Sequence, residues 1–312
     1  KVESTVDRCE ALKDADFVIA TIAVGGPKAH NFDGEIPLKY GIYQTVADTV
    51  GPGGFSRALR HVPVMVDIAR DVEDLCPDAI LFNETNPMTC LCDAVRRVTK
   101  VNIIGLCHGV LIIKAFLAKY IEEKPEEASA VAAGINHLTW ILDFRIRGDD
   151  AYALVRRKWE RSHDPKGFPV SFKFFDIYGV FPSPGDTHVA EFYPYFLGKE
   201  AGGGQKYGLK QYPKGTIYAP EWREGVWQRV KRWSEPGSSL EELWKRAAPG
   251  ERSLVTDMMM SITRKETRIF EAVNIPNRGF VTNLPKDAIV EVPAVMGPSG
   301  TRGIYVGGLP KG

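Results

Sequence analysis

Cys107 and His108 close an apolar run, Val101-Asn-Ile-Ile-Gly-Leu106, and a thiol and an imidazole in that position could act as a soft metal ligand or a nucleophile. A free cysteine also packs as a small hydrophobe, so a buried structural role is the bland alternative. Three more polar points stand out: Asn86 before Pro87, His137 after Asn136, and the turn Pro182-Ser-Pro-Gly-Asp186-Thr-His188. A thiolate and an imidazole from separate strands, with a carboxylate and a second imidazole near, could hold a divalent transition metal and leave positions open for a substrate. Each point has an ordinary reading too: a turn residue for Asn86, a satisfied core histidine for His137, solvated turn residues for Asp186 and His188. His30, His61 and His163 lack this context and read as surface or interface residues.

Strands must carry these groups. The run from Asp14 to Gly26, the run Asp78-Ala-Ile-Leu-Phe-Asn83 and the run Val101 to Leu106 are apolar and end in glycine or polar residues, as buried parallel strands do. Helical patterns separate them: Ser56 to Leu75, interrupted by Pro63, and Pro87 to Val98. The sequence predicts a polar loop around His30 and Lys39 between the first strand and the first of these helices. Three such strands alternating with two helices predict a right-handed βαβαβ unit, the second half of a doubly wound nucleotide-binding sheet. In such sheets ligands bind beyond the carboxyl ends of the strands, where Cys107 and Asn83 stand. The glycines of Val50-Gly-Pro-Gly-Gly-Phe55 do not follow a phosphate-loop order and are expected to let a backbone approach something closely.

The charged stretch Glu122-Glu-Lys-Pro-Glu-Glu127 predicts a boundary near residue 125. Beyond it, alternation over Ile141 to Arg147 predicts amphipathic sheet. Residues 251–272 read as helix, and 273–295 as strands with Asn/Pro turns. Residues 199–250 hold no clean period and read as surface helices and mobile loops. The fold class is therefore α/β, with residues 1–125 the C-terminal half of a Rossmann domain and 126–312 an α+β domain for metal and substrate.

Among the 312 residues, 44% are hydrophobic and 25% charged, and the net charge is +1. That balance gives no electrostatic footprint for nucleic acid or an anionic membrane, and no apolar run approaches a membrane span. Five cysteines, odd in number and without paired zinc spacing, favour a reducing compartment, with the cytoplasm the default. The chain starts at Lys1 within a helical pattern, and it is expected to be a piece of a longer protein.

Taken together, Ala20-Thr-Ile-Ala-Val-Gly-Gly26, Val50 to Phe55, Asn83-Glu-Thr-Asn-Pro87, Gly105-Leu-Cys-His-Gly109, Gly134-Ile-Asn-His137, Pro184-Gly-Asp-Thr-His188 and Asn274-Ile-Pro-Asn277 resemble glycoside hydrolase family 4 in order along most of the chain. The resemblance implies a nucleotide domain like that of lactate and malate dehydrogenases, a requirement for NAD and a divalent metal, commonly manganese, and assembly as homodimers or homotetramers. Such NAD-dependent glycosidases depart from the usual two-carboxylate chemistry. Carried over by position, Cys107 and His137 match metal ligands, with His188 a third candidate, Asn86 matches the residue that binds sugar hydroxyls, and Asp186 falls where the family keeps its base. His108 could assist the leaving oxygen or bind substrate.

The cofactor would meet Thr21, Val24, Gly25 and Asn83; the family's Gly-rich dinucleotide turn has no counterpart in this sequence. The run Cys107-His-Gly-Val110 is similar to that of α-glucuronidases, which implies a hexuronide substrate, glucuronide or galacturonide, and a cation for its carboxylate. Arg57 and Arg278 are the candidates, since a planar guanidinium suits a carboxylate. The implied reaction oxidises C3 with NAD, removes the C2 proton with Asp186, eliminates at C1 and reverses. Other α-glycosidases of the family, an α-galactosidase or α-glucosidase, are the alternative. A lactate/malate-type dehydrogenase is a further one, and so is a nucleotide-binding regulator without turnover.

Overall fold

A computed structural model of the chain describes residues 3–210, 220–235, 237 and 254–311. The predicted strands form as β1 (Phe17–Ala20), β2 (Ile80–Asn83) and β3 (Asn102–Gly105), paired parallel in that order. Leu81, Phe82 and Ile104 are 0% exposed, so each such side chain contributes about 1.5–3 kcal/mol, and burial on both faces explains the unbroken apolar runs. Helices α1 (Arg8–Leu12), α2 (Gly26–Lys39), α3 (Gly51–Leu75), α4 (Met88–Val98) and α5 (Gly109–Tyr120) connect and cover them. Helix α3 runs through Pro63 without a break.

Residues 26–39 are helix α2 rather than the polar loop expected. Gly25, at φ 77°, turns the chain out of β1, and Pro27 sits in the first turn where its missing N–H is harmless. The face that α2 buries consists of His30, Asp33, Gly34 and Pro37, which leaves no apolar period for the eye to find.

The sheet does not end at residue 125. Strands β4 (Ala128–Ile135), β5 (Leu138–Ile146), β6 (Asp149–Asp150), β7 (Phe181–Ser183), β8 (Arg268–Pro276), β9 (Ile289–Gly297) and β10 (Gly300–Gly303) join the same ten-stranded sheet, in the order β1-β2-β3-β8-β9-β4-β5-β6, with β7 on β5 and β10 on β9. The parallel part passes into the antiparallel part where β3 meets β8, at Gly105 opposite Asn274. Residues 268–272, expected to end a helix, begin β8 instead, because Arg268-Ile-Phe-Glu-Ala alternates between exposed and buried. Helices α6 (Tyr152–Ser162) and α7 (Pro169–Tyr178) and the short α8 (Asp186–Val189) follow β6 and β7. Phe172, Phe175 and Phe181 pack with α5 in one core. No helix among the described residues is long and apolar enough to cross a membrane.

Candidate active site

Glycines with no room for a side chain bring the motifs together. A Cβ on Gly109 would lie 2.4 Å from Pro184 Cβ, so the start of α5 presses against the end of β7 and sets Cys107 and His108 beside the Asp186–His188 turn. On the other side, a Cβ on Gly53 would meet Ala47 Cβ at 2.7 Å and one on Gly54 would meet the Thr49 backbone at 2.3 Å. The close approach that these glycines permit is therefore to the chain's own loop, and it delivers Asp48. His137 stands at the tip of the β4–β5 hairpin, whose two-residue turn Asn136-His137 lies between the paired Ile135 and Leu138, with His137 at φ 66°.

Asp48, His137 and His188 converge, each offering a ligand atom within 4.8 Å of the others. Asp48 Oδ1 lies 3.9 Å from His137 Nδ1 and 3.8 Å from His188 Nδ1, and the two imidazole centroids are 4.0 Å apart. Asn86 Nδ2 donates to Asp48 Oδ2 at 2.9 Å. Thr49 Oγ1 donates to Asp48 Oδ1 at 2.7 Å, and it also lies 2.7 Å from His137 Nδ1. A hydroxyl has one proton, so with that proton on Asp48 it must accept from His137 Nδ1–H. This tautomer leaves the Nε2 lone pair of His137 free, the state a metal ligand needs.

Burial alone would raise the Asp48 carboxyl, but His188, His137 and the hydrogen bonds from Thr49 and Asn86 hold it well below the usual carboxylate range. Burial, reinforced by His188, lowers His137 to about 3, and burial also lowers His188. At neutral pH the cluster is thus one carboxylate and two neutral imidazoles. His188 Nδ1 and Asn86 Oδ1 are buried without a hydrogen-bond partner. An anion and two imidazoles, one of them with its Nδ1 left without a partner, fit a divalent transition metal.

Cys107 is half-buried and free, and its Sγ accepts from Gly109 N at 3.4 Å. Burial, with Glu291 and Asp48 adding to it, pushes the thiol up to about 12. A bound cation would reverse that by favouring the thiolate. Asp186 shares the short α8 with His188, but its carboxylate caps α7: Oδ2 accepts from Val170 N at 2.6 Å, and Oδ1 from Ser171 N at 2.8 Å and Ser171 Oγ at 2.5 Å. Burial raises its pKa against those bonds. Asp186 and His188 line a cavity of about 480 Å³ together with Thr45, Phe168, Tyr207 and Lys210.

Other predicted residues take supporting positions. Arg57 is 7% exposed; its Nε donates to Asn86 O at 2.9 Å and its Nη1 lies 2.8 Å from His30 Nδ1. It therefore props the Asn86 backbone rather than facing a substrate. Asn83 is turned inward, donating to Thr85 O and accepting from Thr85 N. Thr21 and Gly25 are exposed in the loop after β1, and the Val24 N–H donates to His61 Nε2 at 3.1 Å. That acceptor fixes His61 as its Nδ1–H tautomer, donating to Arg57 O. His61 is thus a buried strut of the nucleotide-side loop, and His30 is buried as well, where both were expected to be surface or interface residues. His108 is exposed at the start of α5.

Arg278 is a correction. Gly105 faces Asn274 in an antiparallel pair, so β8 runs back toward the start of β3, and the exposed Arg278 turn lies near Val101. At roughly 3.3 Å per residue this is about 20 Å from the Cys107 end of the sheet, too far to meet a substrate there. Asp48, Thr49, Glu191 and Lys210 belong to no motif in the sequence that singles them out. The only sequence signal for Asp48 is the glycine pair five and six residues beyond it, whose close contact turns out to be this loop.

The sequence profile of family 4 glycosyl hydrolase matches residues 1–123, and that of the family 4 glycosyl hydrolase C-terminal domain matches 132–312. The chain belongs to glycosyl hydrolase family 4. An α-galactosidase of Bacillus subtilis is 33% identical over 315 residues, covering 99% of this chain and 70% of that protein. An α-galacturonidase of Thermoanaerobacterium saccharolyticum is 32% identical, covering 96% of this chain and 68% of that one. The lplD structure of Bacillus subtilis superimposes with a TM-score of 0.83 at 29% identity, over 99% of this chain and 74% of that one. The 6-phospho-β-glucosidase of Thermotoga maritima, solved with manganese, NAD+ and glucose-6-phosphate, shares the fold with a TM-score of 0.77 at 24% identity, over 97% and 69% of the two chains. This family 4 chain is therefore a glycoside hydrolase with a Rossmann-like sheet.

Proposed function

We propose that this family 4 enzyme hydrolyses α-hexuronides with NAD and a divalent metal, manganese being the natural candidate. The observation that carries the substrate class is the run Cys107-His108-Gly109-Val110, supported by two α-galacturonidases at 32% identity, one of Thermoanaerobacterium saccharolyticum and one of Bacillus subtilis. Lys210, on the wall of the cavity beside Asp186 and His188, is a cation able to meet a uronate carboxylate, a task for which Arg57 is too committed and Arg278 too remote. The 33% identity to an α-galactosidase favours a neutral α-glycoside as the second reading.

The metal would be held by Asp48, His137 and His188, with Cys107 joining as thiolate, and would polarise the sugar oxygens as a Lewis acid. NAD, beside the Thr21–Gly25 loop and the end of β2, would supply reversible oxidation at C3, which acidifies the C2 proton. Asn86 Oδ1, without a partner in the protein, accepts a hydrogen bond from a sugar hydroxyl while Asp48 fixes the other end of the amide. Asp186 Oδ2 accepts one N–H and keeps a lone pair to take the C2 proton. Its raised pKa makes it a better base than an ordinary carboxylate. The electrons of the broken C2–H bond form a C1–C2 double bond as the C1–O bond breaks, and His108 protonates the departing oxygen. Water then adds at C1 and gives its proton back to His108, Asp186 returns the proton to C2, and the C3 ketone would be reduced again by the hydride that C3 first gave up, so that no net oxidation remains.

Comparing kcat/KM for p-nitrophenyl α-glucuronide, α-galacturonide and α-galactoside tests this reading. A uronide is expected to lead, and Lys210→Met to cost it about 10- to 100-fold while sparing the galactoside, the worth of a charged hydrogen bond. A galactoside that outpaces both uronides would overturn the substrate class.

A further inference from the structure

Asp48 sits on a loop, outside any helix or strand, with Gly53 and Gly54 of α3 packed close against it. What fixes it is Glu191, three residues beyond His188 in the following 3-10 turn. The backbone N–H groups of Thr45, Val46 and Ala47 all donate to one oxygen, Glu191 Oε1, at 2.8, 2.7 and 2.9 Å. Successive N–H groups converge on one anion only when the backbone curls, and here Ala47 takes a left-handed φ of 60° to allow it. For a residue with a Cβ that conformation costs about 1–2 kcal/mol, so something outside the loop must hold it. Thr45 Oγ1 donates to Thr187 O, tying the same loop to α8, while Gln44 donates to Asp33 O and accepts from Gly53 N. Oε2 of Glu191 is buried without a hydrogen-bond partner, so the carboxylate's polar attachment is concentrated on the loop. One short segment thus carries His188 and also the strut that sets Asp48 opposite it.

We propose that Glu191 is a positioning residue that sets the divalent-metal affinity of the site by holding the 45–47 backbone so that Asp48 faces His137 and His188. This rests on the reading of Asp48, His137 and His188 as metal ligands. The strut needs an acceptor oxygen at the end of a two-carbon side chain, not a charge. An amide oxygen accepts the same three bonds; a methyl accepts none; an aspartate is one methylene too short to reach all three.

The test is titration of the protein with Mn2+ alone, following free Mn2+ by its electron paramagnetic resonance signal, for Glu191→Gln, Glu191→Ala, Glu191→Asp and Asp48→Asn. Removing an outer partner of a metal ligand typically weakens binding about 10- to 100-fold, which is expected for the Ala and Asp variants, while the Gln variant stays within about threefold of the parent. If the Ala variant does not fold, the Asp variant carries the comparison. Ala or Asp variants that bind as tightly as the parent would overturn the proposal, and so would a Gln variant that loses as much as they do, since charge would then be the cause. Asp48→Asn separates the two readings. If it leaves Mn2+ affinity unchanged, Asp48 is not a ligand and the metal reading falls; if it weakens binding while the Glu191 variants do not, only the positioning role falls.

Discussion

If Cys107 joins the cluster as a metal ligand, binding Mn2+ must expel a proton, and the number expelled can be worked out from the site. Burial holds the Cys107 thiol at about 12, so at neutral pH it is protonated essentially throughout the apo population. The other donors carry none to lose: Asp48 is held below the usual carboxylate range, His137 is lowered to about 3, and His188 is lowered too. One proton per Mn2+ should therefore appear, all of it from Cys107. Metal affinity should rise about tenfold per pH unit between roughly pH 6.5 and 8.5, about 1.4 kcal/mol for each unit. Calorimetric titration with Mn2+ in buffers of different ionisation enthalpy, under reducing conditions, counts the protons directly. Cys107→Ser should abolish the slope, because a serine hydroxyl does not ionise in this range. A flat profile with no proton released would show that Cys107 stays a thiol, leaving Asp48, His137 and His188 to hold the ion by themselves.

The apo protein should lose stability in mild acid. His137 and His188 have folded pKa values below their ordinary 6.5, so below about pH 6.5 the unfolded chain binds more protons and each imidazole costs up to about 1.4 kcal/mol per pH unit, for His137 continuing toward about 3. The lowered Asp48 acts in the same sense, its stabilisation being present above the unfolded carboxylate range and lost as pH falls through its folded value. Urea midpoints measured from neutral pH down to about 5 should fall, and a constant midpoint would mean that the imidazoles are not buried as neutral groups. Asp186→Asn should keep Mn2+ affinity yet lose about 100- to 10,000-fold in turnover of a p-nitrophenyl α-hexuronide, the usual worth of a general base. With the parent enzyme in heavy water the released uronic acid should carry deuterium at C2, and protium alone there would exclude C2 deprotonation.

The sequence by itself determined the parallel β1–β2–β3 unit, because strands buried on both faces must be apolar throughout and the polar residues that end them, Asn83 and Cys107, are visible as abrupt stops. It also determined the family, since motifs such as Gly134-Ile-Asn-His137 and Pro184-Gly-Asp-Thr-His188 follow one another in order along the chain, and their glycines stand where a side chain has no place: a Cβ on Gly134 would lie 2.4 Å from Leu138 O, and Gly185 takes φ 134°. Tertiary structure decided the rest. Asp48 lies in Val46-Ala-Asp-Thr49, a stretch with no period and no cap, and contacts with Gly53, Gly54, Asn86, Thr187 and Glu191, the last more than 140 residues away, bring it to the two imidazoles. Arg57 and Arg278 look equally able to meet a carboxylate as sequence, yet one is consumed beneath Asn86 and the other is carried to the far edge by the antiparallel register of β8. Helix α2 leaves no apolar signature in the sequence because the face it buries is polar, its His30 bonded to Val46 O and Arg57 and its Asp33 to Arg60. Local pattern records which face of an element meets apolar neighbours; which polar groups meet one another depends on register and on contacts distant in the chain, and the sequence carries no local trace of those.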